Sequence, residues 1–121
     1  MVELLEKVMS MYIAGGGEIS KLDLKNIPMS EYADIGDEMV RVQRFPPFIT
    51  RHRFDKKVRS IRYHMTIRQL TVFVAGENGR MFDDFPPDEA IAFLGCDDPD
   101  EYYFANIDGL YGYREIPKTE R

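Results

Sequence analysis

Lys57-Val58-Arg59-Ser60-Ile61-Arg62-Tyr63-His64-Met65-Thr66-Ile67-Arg68-Gln69-Leu70-Thr71-Val72-Phe73-Val74-Ala75 is the stretch on which the fold turns. Ile61, Tyr63, Met65 and Ile67 alternate with Arg62, His64, Thr66 and Arg68, the period of a strand buried on one side. Leu70, Val72 and Val74 continue the alternation on the opposite parity. One flat strand would therefore change faces midway, which a half-buried sheet does not tolerate. A bulge or bend near Arg68-Gln69 restores the phase by adding a residue. A helix through Val58, Ile61 and Met65 competes, but the β-branched and aromatic content favours strands.

Downstream, Glu77-Asn78-Gly79-Arg80 is a hairpin signal, because both central positions of such a turn need positive φ. Residues 70–75 are thus expected to pair with 80–83. Pro86-Pro87-Asp88-Glu89 opens a helix whose apolar body is Ala90, Ile91, Phe93 and Leu94, stopped by Gly95. Asp98-Pro99-Asp100-Glu101 opens another, capped by Asp98 and ending by Gly109. Leu110 to Ile116 reads as a final strand, and Pro117 to Arg121 as a frayed tail.

Upstream, Leu4, Leu5, Val8, Met9 and Tyr12 recur at helical spacing, which predicts a helix from Val2 to about Ala14. Gly15-Gly16-Gly17 stops it. Residues 18–24 alternate weakly and suggest a short strand. Residues 30–36 suggest a helical turn capped by Ser30 and stopped by Gly36. Met39 to Phe45 reads as a strand closed by Pro46-Pro47. The expected fold is α+β: a small antiparallel sheet, an N-terminal helix, and two short helices in the C-terminal third.

The chain has 121 residues, 44% of them hydrophobic. That fits one globular domain, residues 1–121, with enough apolar content for a core. The lone Cys96 cannot form an internal disulfide, which suits a reducing compartment. The N-terminus lacks the basic start of a signal peptide, and no apolar run approaches the ~18–20 residues of a membrane span. A soluble, cytoplasmic protein with no membrane partner is the expectation.

Charge is strongly segregated. Residues 41–68 hold nine bases (Arg41, Arg44, Arg51, Arg53, Lys56, Lys57, Arg59, Arg62, Arg68) against Asp55, a local charge of +8. Residues 83–108 hold nine acids and no Lys or Arg, a local charge of −9. The whole chain carries −5, which argues against a dedicated nucleic-acid binder. Either the two segments neutralise each other inside the fold or they form surfaces that meet partners.

Candidate chemistry is sparse. Gly15-Gly16-Gly17 lacks the Lys-Ser/Thr ending of a P-loop and follows a helix, so it reads as a helix stop. His52 and His64, twelve residues apart, match no zinc spacing. Asp97-Asp98-Pro99-Asp100-Glu101 offers hard oxygens for a divalent cation but lacks the spacing and glycine of an EF-hand, and helix capping accounts for it. Cys96 precedes acids that disfavour a thiolate, so it reads as structural. No catalytic residue, cofactor or metal ligand is expected.

The leading expectation is therefore a non-enzymatic binding or assembly module that docks on a protein partner, or on a second copy of itself, through its charge-polarised surface. Arg51, Arg53, Arg59, Arg62, Tyr63 and His64 are the candidate contact residues. Arginine, which makes planar bidentate contacts to carboxylate and phosphate, dominates the segment. Single-stranded nucleic acid or RNA bound on these aromatic-interleaved strands is the alternative. An inhibitor or immunity-type antagonist is another. A small metal-dependent hydrolase using the 97–101 loop ranks last.

Overall fold

A computed structural model of the chain describes residues 3–117, with all side chains in that range except those of Leu4, Lys21 and Leu22. Helices α1 (Glu3–Ala14) and α2 (Lys21–Lys25) come first. Six strands follow: β1 (Ser30–Ile35), β2 (Glu38–Gln43), β3 (Phe48–Arg53), β4 (Val58–His64), β5 (Gln69–Val74) and β6 (Gly79–Phe82). Helices α3 (Pro87–Gly95) and α4 (Pro99–Asn106) precede β7 (Arg114–Ile116). The strands form one antiparallel sheet in the order of the chain, β1 to β7.

The parity change in 57–75 resolves into a bulge and a reversal. Val58 faces Val74 and Ser60 faces Phe73, so Arg59 is the extra residue of a bulge in β4. At the other end His64 pairs with Gln69, and residues 65–68 turn the chain back, with Arg68 at φ 56°. The bend expected near Arg68-Gln69 is this turn. The apparent helical spacing of Val58 and Ile61 comes from the bulge, which places both on the buried side.

Side-chain alternation then sorts the sheet into two faces. Val40, Val42, Ile49, Ile61, Tyr63, Leu70, Val72, Val74 and Phe82 are buried with Leu5, Val8 and Tyr12 of α1 and with Ala90, Phe93, Leu94 and Tyr103 of α3 and α4. These residues form one core cluster, so the helices lie on one side of the sheet. The Tyr12 hydroxyl donates to the Met65 carbonyl at 2.8 Å, tying α1 to the β4–β5 turn. No described helix is long and apolar enough to cross a membrane.

The α+β class, the N-terminal helix, the β5–β6 hairpin and the two late helices agree with the sequence expectation, but the hairpin turns at residues 75–78 with Gly76 at φ 79°, and Gly79 opens β6 instead of sitting in the turn. Leu70 pairs with Phe82 and Val72 with Arg80, and Asp98 Oδ1 accepts from the Glu101 N–H at 3.1 Å. Two early segments differ. Residues 18–24, expected as a strand, contain α2, started by a capping box in which Ser20 Oγ accepts from the Asp23 N–H and Asp23 Oδ2 from the Ser20 N–H, both at 3.1 Å. Residues 30–36, expected as a helical turn, supply β1, which pairs along its whole length with β2. The segment has no apolar stripe to commit a helix, and the β2 edge satisfies its backbone groups. Ser30, expected as a cap, instead accepts from Arg41 Nε at 3.1 Å and Nη2 at 2.9 Å.

Two glycines sit where a side chain would collide. A Cβ on Gly17, at φ 78°, would lie 2.5 Å from the Pro87 ring, so the end of α1 meets the start of α3 only through glycine. A Cβ on Gly79 would lie 2.6 Å from the Phe73 ring, which covers it on the sheet face away from the helices. Gly79→Ala should therefore cost about 1–3 kcal/mol by overpacking. Chemical denaturation of Gly79→Ala, Phe73→Ala and the double variant should show that loss of the ring removes most of the Gly79→Ala penalty.

Candidate functional site

The six candidate contact residues divide between the two sides of the sheet. Arg51, Arg53 and Tyr63 point toward the helices and are almost fully buried. The Tyr63 hydroxyl donates to the Phe85 carbonyl at 2.8 Å, and its ring meets Tyr12 edge-on. Arg51 makes a forked contact with Glu38, Nε to Oε1 at 2.9 Å and Nη2 to Oε2 at 3.1 Å. Its Nη1 donates to the carbonyls of Leu94 and Cys96, at 3.1 and 2.7 Å. Arg53 Nε donates to Glu38 Oε1 at 3.0 Å, and its Nη1 to the Val58 carbonyl at 2.9 Å and Asp100 Oδ1 at 2.6 Å. Asp100 Oδ1 also accepts from the Val58 N–H at 2.8 Å. An external partner does not reach these three residues: burial inside the two layers has turned them into fasteners between sheet and helices.

Arg59, Arg62 and His64 belong to the opposite face, which no described helix covers. Cross-strand pairing lays that face out in rows. The middle row runs across all seven strands as Tyr32, Arg41, Thr50, Arg62, Thr71, Met81 and Arg114. A row to one side carries Met39, His52, Ser60 and Phe73, and one to the other carries Gln43, Phe48, His64 and Gln69. Long cationic side chains thus alternate with the short Thr50 and Thr71 at the centre. The guanidinium of Arg62 lies 4.9 Å from the Phe48 ring centroid, and His64 meets the same ring edge-on at 4.8 Å. The bulge turns Arg59 to this side, where it lines a groove of about 610 Å³ with His52, Ser60 and Arg62.

The electrostatics of the two faces differ. On the helix side Arg51, Arg53 and Arg80 are matched with Glu38, Asp100 and Asp108. On the open side, among the described residues, no carboxylate is paired with Arg41, Arg59 or Arg62. Partial burial, reinforced by the charges of Arg62 and Arg41, lowers the His52 pKa. Burial also lowers that of His64, with a smaller push from Arg62 and a backbone hydrogen bond acting the other way. At the rim Asp83 is clamped by Arg114, at 2.7 and 2.9 Å, and by Gln69, which hold its carboxyl down to about 2. The arrangement is suited to accepting anionic groups on a fixed surface.

Arg41, His52, Phe48 and Phe73 complete this face and were not among the six candidate contact residues. The signal that finds them is parity: counting outward positions from Arg62 along each paired strand selects all four. Other candidates fall elsewhere. Asp98 caps α4 and Asp100 is bound by Arg53, and among the described residues no group of three His, Cys, Asp or Glu side chains could hold a metal. The Cys96 thiol donates to the Phe93 carbonyl, and its pKa is raised by burial, with Arg51 and Arg53 pulling the other way. The three glycines end α1 as expected.

Compared with known proteins, the chain matches no family model, no curated protein and no solved structure.

Arg53→Leu leaves Asp100 and Glu38 half-buried with fewer partners and should cost about 3 kcal/mol in urea unfolding, as breaking such a pair does. Burial pushes the Asp100 carboxyl up, but the Val58 N–H, the Arg53 guanidinium and the Lys57 N–H hold it below its ordinary range. A carboxyl so lowered adds stability that is complete above its unfolded pKa of about 3.9 and is lost as pH falls through the folded value. Wild-type stability should therefore fall more steeply than that of Asp100→Asn on acidification below about pH 4. On the open face, Arg62→Gln should raise the pKa of both histidines, which an NMR titration of their ring protons would show.

Proposed function

We propose that this chain is a non-enzymatic binding module that docks on an acidic surface of a protein partner through the open face of its sheet. One observation carries the proposal: among the described residues, Arg41, Arg59 and Arg62 stand on that face with no carboxylate partner, whereas Arg51, Arg53 and Arg80 are neutralised inside the fold. Forked guanidinium groups held on strands suit carboxylates presented by another chain. Electrostatic complementarity of this kind gives fast and selective encounter.

Phe48 favours protein over single-stranded nucleic acid. A sheet that reads bases offers bare aromatic faces for stacking. Here the Phe48 ring is occupied by the Arg62 guanidinium and the edge of His64.

Fluorescence anisotropy with labelled poly-glutamate and with a labelled single-stranded oligonucleotide tests this. Poly-glutamate should bind, weaken from about 0.05 to about 0.5 M salt as screening shortens, and be lost in Arg41→Glu/Arg62→Glu. Tighter binding of the oligonucleotide that the same variant abolishes would replace the protein reading with the nucleic-acid one. No binding of either at low salt would overturn both.

A further inference from the structure

We infer that the groove on the open face selects a protein segment in which an acidic side chain stands beside an apolar one, so that the ligand is an amphipathic anion rather than an acid alone. This rests on the docking proposed above and adds the chemistry of the contact. The groove has two unlike ends. Arg59 and Arg62 of β4, flanked by the His52 ring of β3 and the Ser60 hydroxyl, form a cationic end. Phe73, Met81 and Ile116, on β5, β6 and β7, form an apolar end.

Strand pairing fixes the order of these ends. His52 faces Ser60, and Ser60 faces Phe73. Gly79, beneath the Phe73 ring, faces Ile116. The cations therefore lie toward one side of a continuous trough and the apolar groups toward the other. Neighbouring strands are ~4.8 Å apart, so from β4 to β6 is roughly 10 Å. An extended segment laid across the strands spans that in about three residues. The apolar end has no use for a carboxylate, since burying an unpaired charge there is costly. It gains from an aliphatic or aromatic side chain, which leaves water when it settles against Phe73 and Met81. The size of the groove is in the range of pockets that enclose a few side chains.

Arg114 bounds the apolar end without making it cationic. Its guanidinium is held by Asp83, and its Nη2 lies 3.1 Å from the Met81 sulfur. The positive charge available to a ligand is thus concentrated on β2 and β4.

The test uses the full chain and three fluorescein-labelled heptapeptides: one with paired Glu and Leu/Phe residues, one with the apolar residues replaced by Ser, and one with Glu replaced by Gln. The mixed peptide should bind at least ~10-fold more tightly than the acid-only control, as burial of one apolar side chain provides, and also more tightly than the uncharged control, which cannot make the carboxylate–guanidinium contact. Ile116→Ser should erase the advantage over the acid-only peptide, and Arg62→Gln the advantage over the uncharged one. Methyl NMR on the unmodified protein supplies a readout that needs no variant: the Met81 and Ile116 methyls should shift with the mixed peptide and not with the acid-only one. Equal binding of the mixed and acid-only peptides would overturn this inference and leave acidic docking standing. No binding of any Glu-containing peptide would overturn both.

Discussion

The inward pair Arg51 and Arg53, shared between Glu38 and Asp100, is the constraint from which the rest of the molecule follows. Two guanidinium groups buried between a sheet and helices are costly to desolvate. The cost is offset because most donors have an acceptor: Glu38 takes a fork from Arg51 and one contact from Arg53, Asp100 takes one from Arg53, and the Leu94, Cys96 and Val58 carbonyls take others. No buried polar side-chain atom among the described residues lacks a partner. The Leu94 and Cys96 carbonyls belong to the end of α3, and Asp100 to the start of α4. The network therefore fixes where one helix stops and the next begins, directly over β3.

With the helical layer fastened to that side, the other side of the sheet remains open. The same strand that sends Arg51 and Arg53 inward sends Phe48, Thr50 and His52 outward. Charge segregation in the sequence thus has two outcomes in space. Part of the basic segment is neutralised by acids from the sheet and from α4. Arg41, Arg59 and Arg62 are left on a surface. Neutralisation and exposure, which looked like alternatives, hold together because a strand alternates its sides.

Much of the architecture was legible from local patterns. The helical spacing of Leu5, Val8 and Tyr12, the β5–β6 hairpin, the Asp98 cap and the outward parity of Arg62 and His64 each follow from short-range geometry, although the hairpin turns at Gly76 and not at Asn78-Gly79. The misread segments were those where local signals were weak or mixed. Around Ser20 the capping box competed with a faint alternation. Around Ser30 turn-forming residues disguised a strand that exists because β2 has an edge to offer. β3 showed no hydrophobic alternation, since two of its three inward positions are arginines.

What the sequence determined by itself was the period of each element, its starts and stops, and the separation of charge along the chain, because these depend on neighbours a few residues apart. Only the tertiary structure decided which arginines are spent inside and which face outward. That choice depends on Glu38, Asp100 and the α3 carbonyls arriving from up to 47 residues away. A buried arginine and an exposed one are the same letter until the acceptors that satisfy its five N–H donors are in place.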